Sequence, residues 1–331
     1  MSRLCKSFSF AKKRPFTMLS KVLLLFSFTL ASIQLAWGQA PPTFTQGGQQ
    51  PHDLDGSPAE AVFNGLLYIV YIDHYTHHYS LASSSDGWNF GSGIDSGYGG
   101  TSSPTMTAFN GKLYIAFNTG GVIYMMTWNG TSFSAPTPVS WTTPILPPNP
   151  GAAYLTPAIV SWNGEIFIAY SASDGYVWSG ESTDGIHYFA PVQLPSYQAT
   201  SSPAAAVFDD GSGITEVAIV YTTNAVGNHN PVTYLTGGGG GISVINSTFE
   251  IGGDPTAVSF NGALYVFGRS NYSPNSLWVA GSYNGSGYVP AYQYGMSLHN
   301  SPTAAVYNGL LCVGFHSNFS SNHLWTYTAP Y

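Results

Sequence analysis

The chain is poor in charge. Only 7% of its 331 residues are Asp, Glu, Lys or Arg, and eight of these are basic. Arg3, Lys6, Lys12, Lys13, Arg14 and Lys21 fall in the first 38 residues, which leaves Lys112 and Arg269 against fifteen carboxylates, a formal balance of 2 − 15 = −13. Affinity for phosphate comes from Lys and Arg, so nucleic acid and an anionic membrane surface are excluded as partners. Cysteine is as scarce: Cys5 lies in the basic leader, Cys312 stands alone, and no intramolecular disulfide is possible once the leader is gone. Cys312 occupies a position where other repeats carry Tyr68, Tyr114, Phe167 and Tyr265, which reads as a buried apolar thiol. A membrane-spanning run is missing too. The apolar stretch 22–37 falls short of the roughly 20 residues a helix needs to span a bilayer and is interrupted by Ser27, Ser32 and Gln34. Preceded by basic residues and ending in Ala36-Trp37-Gly38, it predicts a signal peptide over 1–38 and a mature start at Gln39. Met18 followed by Lys21 makes an ordinary signal on its own, so the residues before Met18 read as an upstream extension or a misassigned start. The expected location is extracellular, or periplasmic in a bacterium.

What is abundant is glycine and aromatics: 38 Gly, 23 Tyr, 19 Phe and 8 Trp. They are organised in six copies of one pattern, beginning at Pro58, Pro104, Pro157, Pro203, Pro255 and Pro302, with steps of 46, 53, 46, 52 and 47 residues. Each copy has an apolar first strand, a turn, and a second strand rich in aromatics. Five turns are Asn-Gly (Asn64-Gly65, Asn110-Gly111, Asn163-Gly164, Asn261-Gly262, Asn308-Gly309), which suits the positive φ angles of a type I′ hairpin. The fourth, Asp209-Asp210-Gly211-Ser212-Gly213, is looser. Second strands such as Leu113-Tyr114-Ile115-Ala116-Phe117 are nearly all apolar, as strands covered on both faces are. A third strand carries one aromatic per copy, at Tyr79, Tyr124, Trp178, Tyr234, Trp278 and Trp325. A second turn follows at Asp86-Gly87, Asn129-Gly130, Asp184-Gly185 or Asn284-Gly285, replaced in the fourth copy by the five glycines 237–241.

A period of this length holds four short strands, the size of a propeller blade. The last copy has room for three strands only, while a strand's length near 43–46 has no repeat of its own. The expectation is an all-β, six-bladed β-propeller of four-stranded blades. Residues 39–57 supply a closure strand and link that completes the last blade, and 58–331 hold the six repeats.

In such a ring the loops between second and third strands share a face with the interblade links. That face collects Asp73, His74, His77 and His78; Asn118; Asp174; Asn224, Asn228 and His229; Arg269 and Asn271; His316, Asn318 and His323; with Asp53, Asp55, Asp254 and His299 on the links and Tyr75, Tyr272 and Phe319 interspersed. Amides and carboxylates match hydroxyls and aromatic rings pack on C–H faces, so the mixture points to sugars. The candidate ligand-binding set is Asp73, His74, His78, Asn118, Asp174, Asn224, His229, Arg269, Asn271, His316, Asn318 and His323. Against it stands the plain fact that surface loops are polar everywhere. The third-strand aromatics read as blade packing rather than sugar platforms. The spacing of His74, His77 and His78 fits no zinc pattern, and Asp53-x-Asp55 offers too few oxygens for calcium, so no cofactor is expected.

The turns Ser84-Ser85-Asp86-Gly87-Trp88-Asn89-Phe90 and Ser182-Thr183-Asp184-Gly185-Ile186-His187-Tyr188 resemble degenerate Asp-box motifs of sialidase-type propellers. With the repeated strands, they are also similar to blades of propeller lectins and, more distantly, of five-bladed furanosidase-type glycoside hydrolases. The likeness lies in the scaffold. Sialidase chemistry as the family performs it uses three arginines, and only Arg269 is present after the leader. Furanosidase-type chemistry places carboxylates on inner strands around the channel; here Glu60 is the one inner-strand acid and Asp254 the one at the rim. The expectation is therefore a secreted, non-catalytic, lectin-like propeller with shallow glycan sites on its loop face. A glycoside hydrolase using Glu60 and Asp254 and a scaffold docking other extracellular proteins are the alternatives.

Overall fold

The computed structural model describes residues 41–331 apart from 142–154, 210–214, 227–228, 237–242, 273–274, 284–286, 319–321 and 331. The expected signal peptide, the fourth hairpin turn, the glycine run, the Asn284-Gly285 turn, Asn228 and Phe319 lie wholly or mostly outside the described residues. Every regular element described is a β-strand.

Each repeat forms an antiparallel sheet in chain order. The third, for example, runs Ala158–Trp162, Glu165–Ser171, Tyr176–Ser182, Val192–Gln198. The five Asn-Gly pairs make the first hairpins with positive φ at both residues, 48° and 76° at Asn64 and Gly65, which is the type I′ geometry expected of them. Second strands are buried nearly end to end: in Lys112–Thr119 only the two terminal residues are exposed. The reason is that both faces are covered. Six apolar clusters are found among the described residues, each shared between two successive sheets, as where Ile115 and Met126 of the second pack on Val70 and Leu81 of the first. One cluster joins the last sheet to the first, through Ala305, Tyr307, Cys312 and Leu324 against Leu67, Ile69 and Phe90.

The N-terminal segment differs from expectation in extent. A single strand, Gln46–Phe63, begins at the end of the 43–46 stretch and runs without a break into the first inner strand. Its first half pairs antiparallel with the C-terminal strand His323–Pro330, from Gln46 opposite Thr328 to Asp53 opposite His323. Its second half pairs with Leu66–Asp73 of the first sheet. One seven-stranded sheet thus carries both chain ends. Gly47 permits the approach, since a Cβ there would lie 2.2 Å from the Tyr327 ring. Gly56, at φ 90°, lies in the bulge between Asp55 and Ala59 within the pairing to Leu66–Asp73.

The two Ser-x-Asp-Gly turns are built alike. Ser84 Oγ donates to Asp86 Oδ1 at 2.8 Å, and the same oxygen accepts from the Trp88 and Asn89 N–H groups at 3.1 and 2.8 Å. Asp184 repeats this with Ser182, Ile186 and His187. Burial opposes ionisation of Asp86, but these hydrogen bonds outweigh it and hold the carboxyl at about 2. Each turn rests on the preceding sheet: a Cβ at Gly87 would meet Cys312 Sγ at 3.0 Å, and one at Gly185 the Tyr114 ring at 2.4 Å. Cys312 fills the same niche as Tyr114 and is buried.

Candidate functional site

The six strands after the prolines line one channel. At its loop-face mouth the residue before each proline forms a ring: Ser57, Ser103, Thr156, Ser202, Asp254 and Ser301. Members bond to their neighbours in the next repeat. Ser57 N–H donates to Ser103 Oγ, Ser202 N–H to Asp254 Oδ1 and Asp254 N–H to Ser301 Oγ, at 2.7–2.9 Å. Asp254 is thus a structural link as well as a buried acid; burial raises its carboxyl, against the Ser202 hydrogen bonds. The mouth encloses only about 130 Å³, well under the roughly 300 Å³ at which ligand pockets begin.

Glu60 and Asp254 both belong to the lining of the channel mouth, but the Glu60 carboxyl is buried. Among the described residues neither of its buried carboxyl oxygens has a hydrogen-bond partner, and Oε1 lies 2.9 Å from where a Cβ on Gly314 would sit, between the first and last sheets. Burial pushes the carboxyl up to about 8, so it is neutral at pH 7.

The expected ligand residues divide into two groups. Asn118, Asp174, Asn224, His229, Arg269, Asn271 and Asn318 are spread over the second to sixth repeats. Several brace their own loops. Asn118 Nδ2 donates to Leu155 O and its Oδ1 accepts from Gly121 N–H, and Asp174 accepts from Tyr176 N–H and Trp178 Nε1. Asn224 accepts from His229 N–H at 3.1 Å. Arg269 directs its guanidinium to two backbone carbonyls, Gly252 O at 2.6 and 2.9 Å and His299 O at 2.7 Å. Asn271 backs onto Gly252, and Asn318 is exposed with its N–H on Ser297 O.

Asp73, His74, His78, His316 and His323 instead come together where the last sheet meets the first. Seven of the nine histidines gather along this seam, with His52, His77 and His299 completing the set. His74 and His77 share Asp55, at 2.7 and 2.9 Å from its two oxygens. His323 pairs with Asp53, which also accepts from Tyr75 OH at 2.7 Å. His78 pairs with Asp95 at 3.0 Å. The Asp55 hydrogen bond raises the His74 pKa above its ordinary value; on Asp55, burial acts upward but the two imidazoles prevail and lower it. His316 is buried beside His299, and burial first, then that neighbour, lowers its pKa. No group of three or more His, Cys, Asp or Glu among the described residues is arranged to hold a metal ion.

Beside the cluster lies a groove of about 540 Å³, in the range of ligand pockets. Its lining includes His52, Tyr71, Asp73, Ser80, Phe90 and Asp95. Tyr71, Phe90 and His52 are buried. His52 Nε2 lies 2.9 Å from Gly91 O, an acceptor only, so that nitrogen carries the proton and Nδ1 accepts from Tyr71 OH at 2.9 Å. Burial lowers the ring's pKa below its ordinary value, against the Gly91 and Phe90 backbone hydrogen bonds. Gly93 is bare of necessity: a Cβ there would meet Tyr71 OH at 2.4 Å. His52, Tyr71, Ser80 and Asp95 were not in the expected set. His52 lies before the first repeat and Asp95 beyond the turn aromatic Phe90, where the repeat pattern gives no guide.

No family model and no curated protein matches the chain. Solved structures do. The α-L-arabinanase of Penicillium chrysogenum, complexed with arabinobiose, aligns over 87% of this chain and 99% of its own, with a TM-score of 0.61 and 15% identity. The lectin SapL1, in complex with α-methyl fucoside, covers 84% of this chain and 93% of its own, at TM-score 0.60 and 10% identity. The sialidase of Trypanosoma rangeli covers 88% of this chain but only 60% of its own, at TM-score 0.58 and 12% identity. At these identities the likeness is one of fold, and the fold is the β-propeller of arabinanase, lectin and sialidase, as the strand motifs implied.

Proposed function

We propose that the protein is a secreted six-bladed propeller, closed by strand 46–53 on the last blade, whose loop face binds glycans without catalysis. The closure reading draws on the register of Gln46 with Thr328 and on the apolar cluster shared by last and first sheets. The two Ser-x-Asp-Gly turns act as degenerate Asp-boxes that seat one blade on the one before it. The observation that carries the binding reading is the seam groove, a concave space on an apolar floor of Tyr71 and Phe90 with hydroxyl, imidazole and carboxylate groups around it. That combination matches the alternating hydroxyl and C–H surfaces of a sugar. Neighbours solved with arabinobiose and α-methyl fucoside show that this fold accommodates saccharides. A glycan array probed with the folded mature protein tests the reading. Binding to a defined set of glycans supports it; no binding by a folded sample overturns it and leaves docking of another extracellular protein.

One observation favours a hydrolase instead: Asp254 is a buried carboxyl at the channel mouth with a raised pKa, the state of a general acid. Its carboxyl accepts a structural N–H and the Glu60 carboxyl is buried and protonated, so the binding reading is preferred. Turnover of chromogenic glycosides that disappears in Asp254→Asn would reverse the preference.

A further inference from the structure

We propose that the seam groove is built for a sugar bearing a free ammonium group, a 2-amino-2-deoxy unit of a de-N-acetylated glycan. The proposal rests on the glycan-binding reading and narrows its ligand class. Three features carry it. The first is the charge of the lining. Asp73 and Asp95 both border the groove, and no Lys or Arg does. Asp73 spends one oxygen, Oδ1, on the Tyr75 and Thr76 N–H groups and the Thr76 hydroxyl; among the described residues Oδ2 has no partner. Asp95 is held below the ordinary carboxylate range by the Gly97 N–H and His78, and stays ionised.

The second feature is Ser80. Its residue is only 5% exposed and lines the groove, yet among the described residues its hydroxyl makes no hydrogen bond. With no protein partner, a hydroxyl on an otherwise buried residue that opens to the groove is free to hydrogen-bond a ligand or a water there. The third is that no Lys or Arg among the described residues lines the groove, the one cationic partner of its carboxylates being His78 on Asp95. Arg269 is committed to backbone carbonyls, Lys112 lies at a hairpin on the opposite face, and His52 in the floor spends both ring nitrogens on Gly91 O and Tyr71 OH. An anionic sugar would meet two carboxylates with only His78, already paired to Asp95, to offset them, and an N-acetylated one would bring a neutral amide. An ammonium donates charge-assisted hydrogen bonds to carboxylate, about twice the strength of neutral ones.

Isothermal titration of the mature protein at about pH 6, where an aliphatic amine is charged, compares a glucosamine tetramer, its fully N-acetylated counterpart and a tetragalacturonate. The free-amine tetramer binds about tenfold tighter than the acetylated one, corresponding to one charge-assisted contact, and the uronate does not bind. Asp73→Asn and Asp95→Asn each lower amine affinity by about the same factor while leaving any binding of the acetylated sugar unchanged. Glu165→Gln, beside an Asn-Gly hairpin, changes nothing and thereby separates the groove from the general attraction of an acidic protein. Equal or tighter binding of the acetylated tetramer, or amine binding unmoved in both folded Asp variants, overturns the proposal. If the amine fails while neutral glycans bind on the array, this inference falls and the glycan-binding reading stands; if nothing binds in either assay, both fall.

Discussion

Replacing Glu60 by glutamine is expected to stabilise the protein at neutral pH and to leave it unchanged in acid. The wild-type carboxyl is buried between the first and last sheets with no hydrogen-bond partner among the described residues, and burial raises it from 4.5 to about 8. In the unfolded chain it ionises from its ordinary value upward; in the fold it keeps its proton until about 8. The unfolded state therefore binds fewer protons across that window, and stability falls as pH rises. The slope is about 1.4 kcal/mol per pH unit, which accumulates to about 3 kcal/mol by pH 7 and levels off above the folded pKa. Glutamine keeps the shape and cannot ionise. Urea unfolding at about pH 5, 6, 7 and 8 gives the difference between variant and wild type, which should grow by about 1 kcal/mol per unit. Parallel pH profiles for the two proteins would refute the reasoning, because they would mean that the carboxylate reaches water or a partner in the fold.

The seam's ion pairs carry a separate pH signature. His74 has a raised pKa, so its contribution is fully present below the ordinary histidine value and is lost as pH rises through the folded one; Asp55→Asn should remove that acid-side gain in the same urea series. Gly47→Ala places a Cβ 2.2 Å from the Tyr327 ring; overpacking of this kind costs about 1–3 kcal/mol, read as a lower urea midpoint and faster proteolysis at the N-terminal strand. Asp184→Asn weakens the hydrogen bonds of the third-repeat turn and should cost about 1 kcal/mol, measured by thermal unfolding.

The repeat architecture was legible because it is written locally. An Asn-Gly pair demands positive φ wherever it occurs, a fully apolar strand demands cover on both faces, and both demands were met at the predicted positions. The Ser-x-Asp turns were equally readable, since their hydrogen bonds span three residues. The N-terminal strand that pairs with the C-terminal one was placed near its position but begun too early, because its pairing depends on partners some 280 residues away, such as Thr328 opposite Gln46. The candidate site was half legible. Asp73, His74, His78, His316 and His323 do meet, but nothing in the sequence tells that Asp53 and Asp55 take three histidines between them, since that depends on two chain ends lying side by side. Glu60 lines the channel, as its inner-strand position implied, but its carboxyl is buried against the space above Gly314, a residue whose missing Cβ makes the room.

The central claim is that the loop face of the ring, at the seam of its first and last blades, is where a glycan is held. A crystal structure of the mature protein with a glycan selected on the array tests it most directly. The account predicts sugar density in the groove beside Tyr71, Asp73, Ser80 and Asp95; sugar in the central channel beside Asp254, or on the face of the Asn-Gly hairpins, would contradict it.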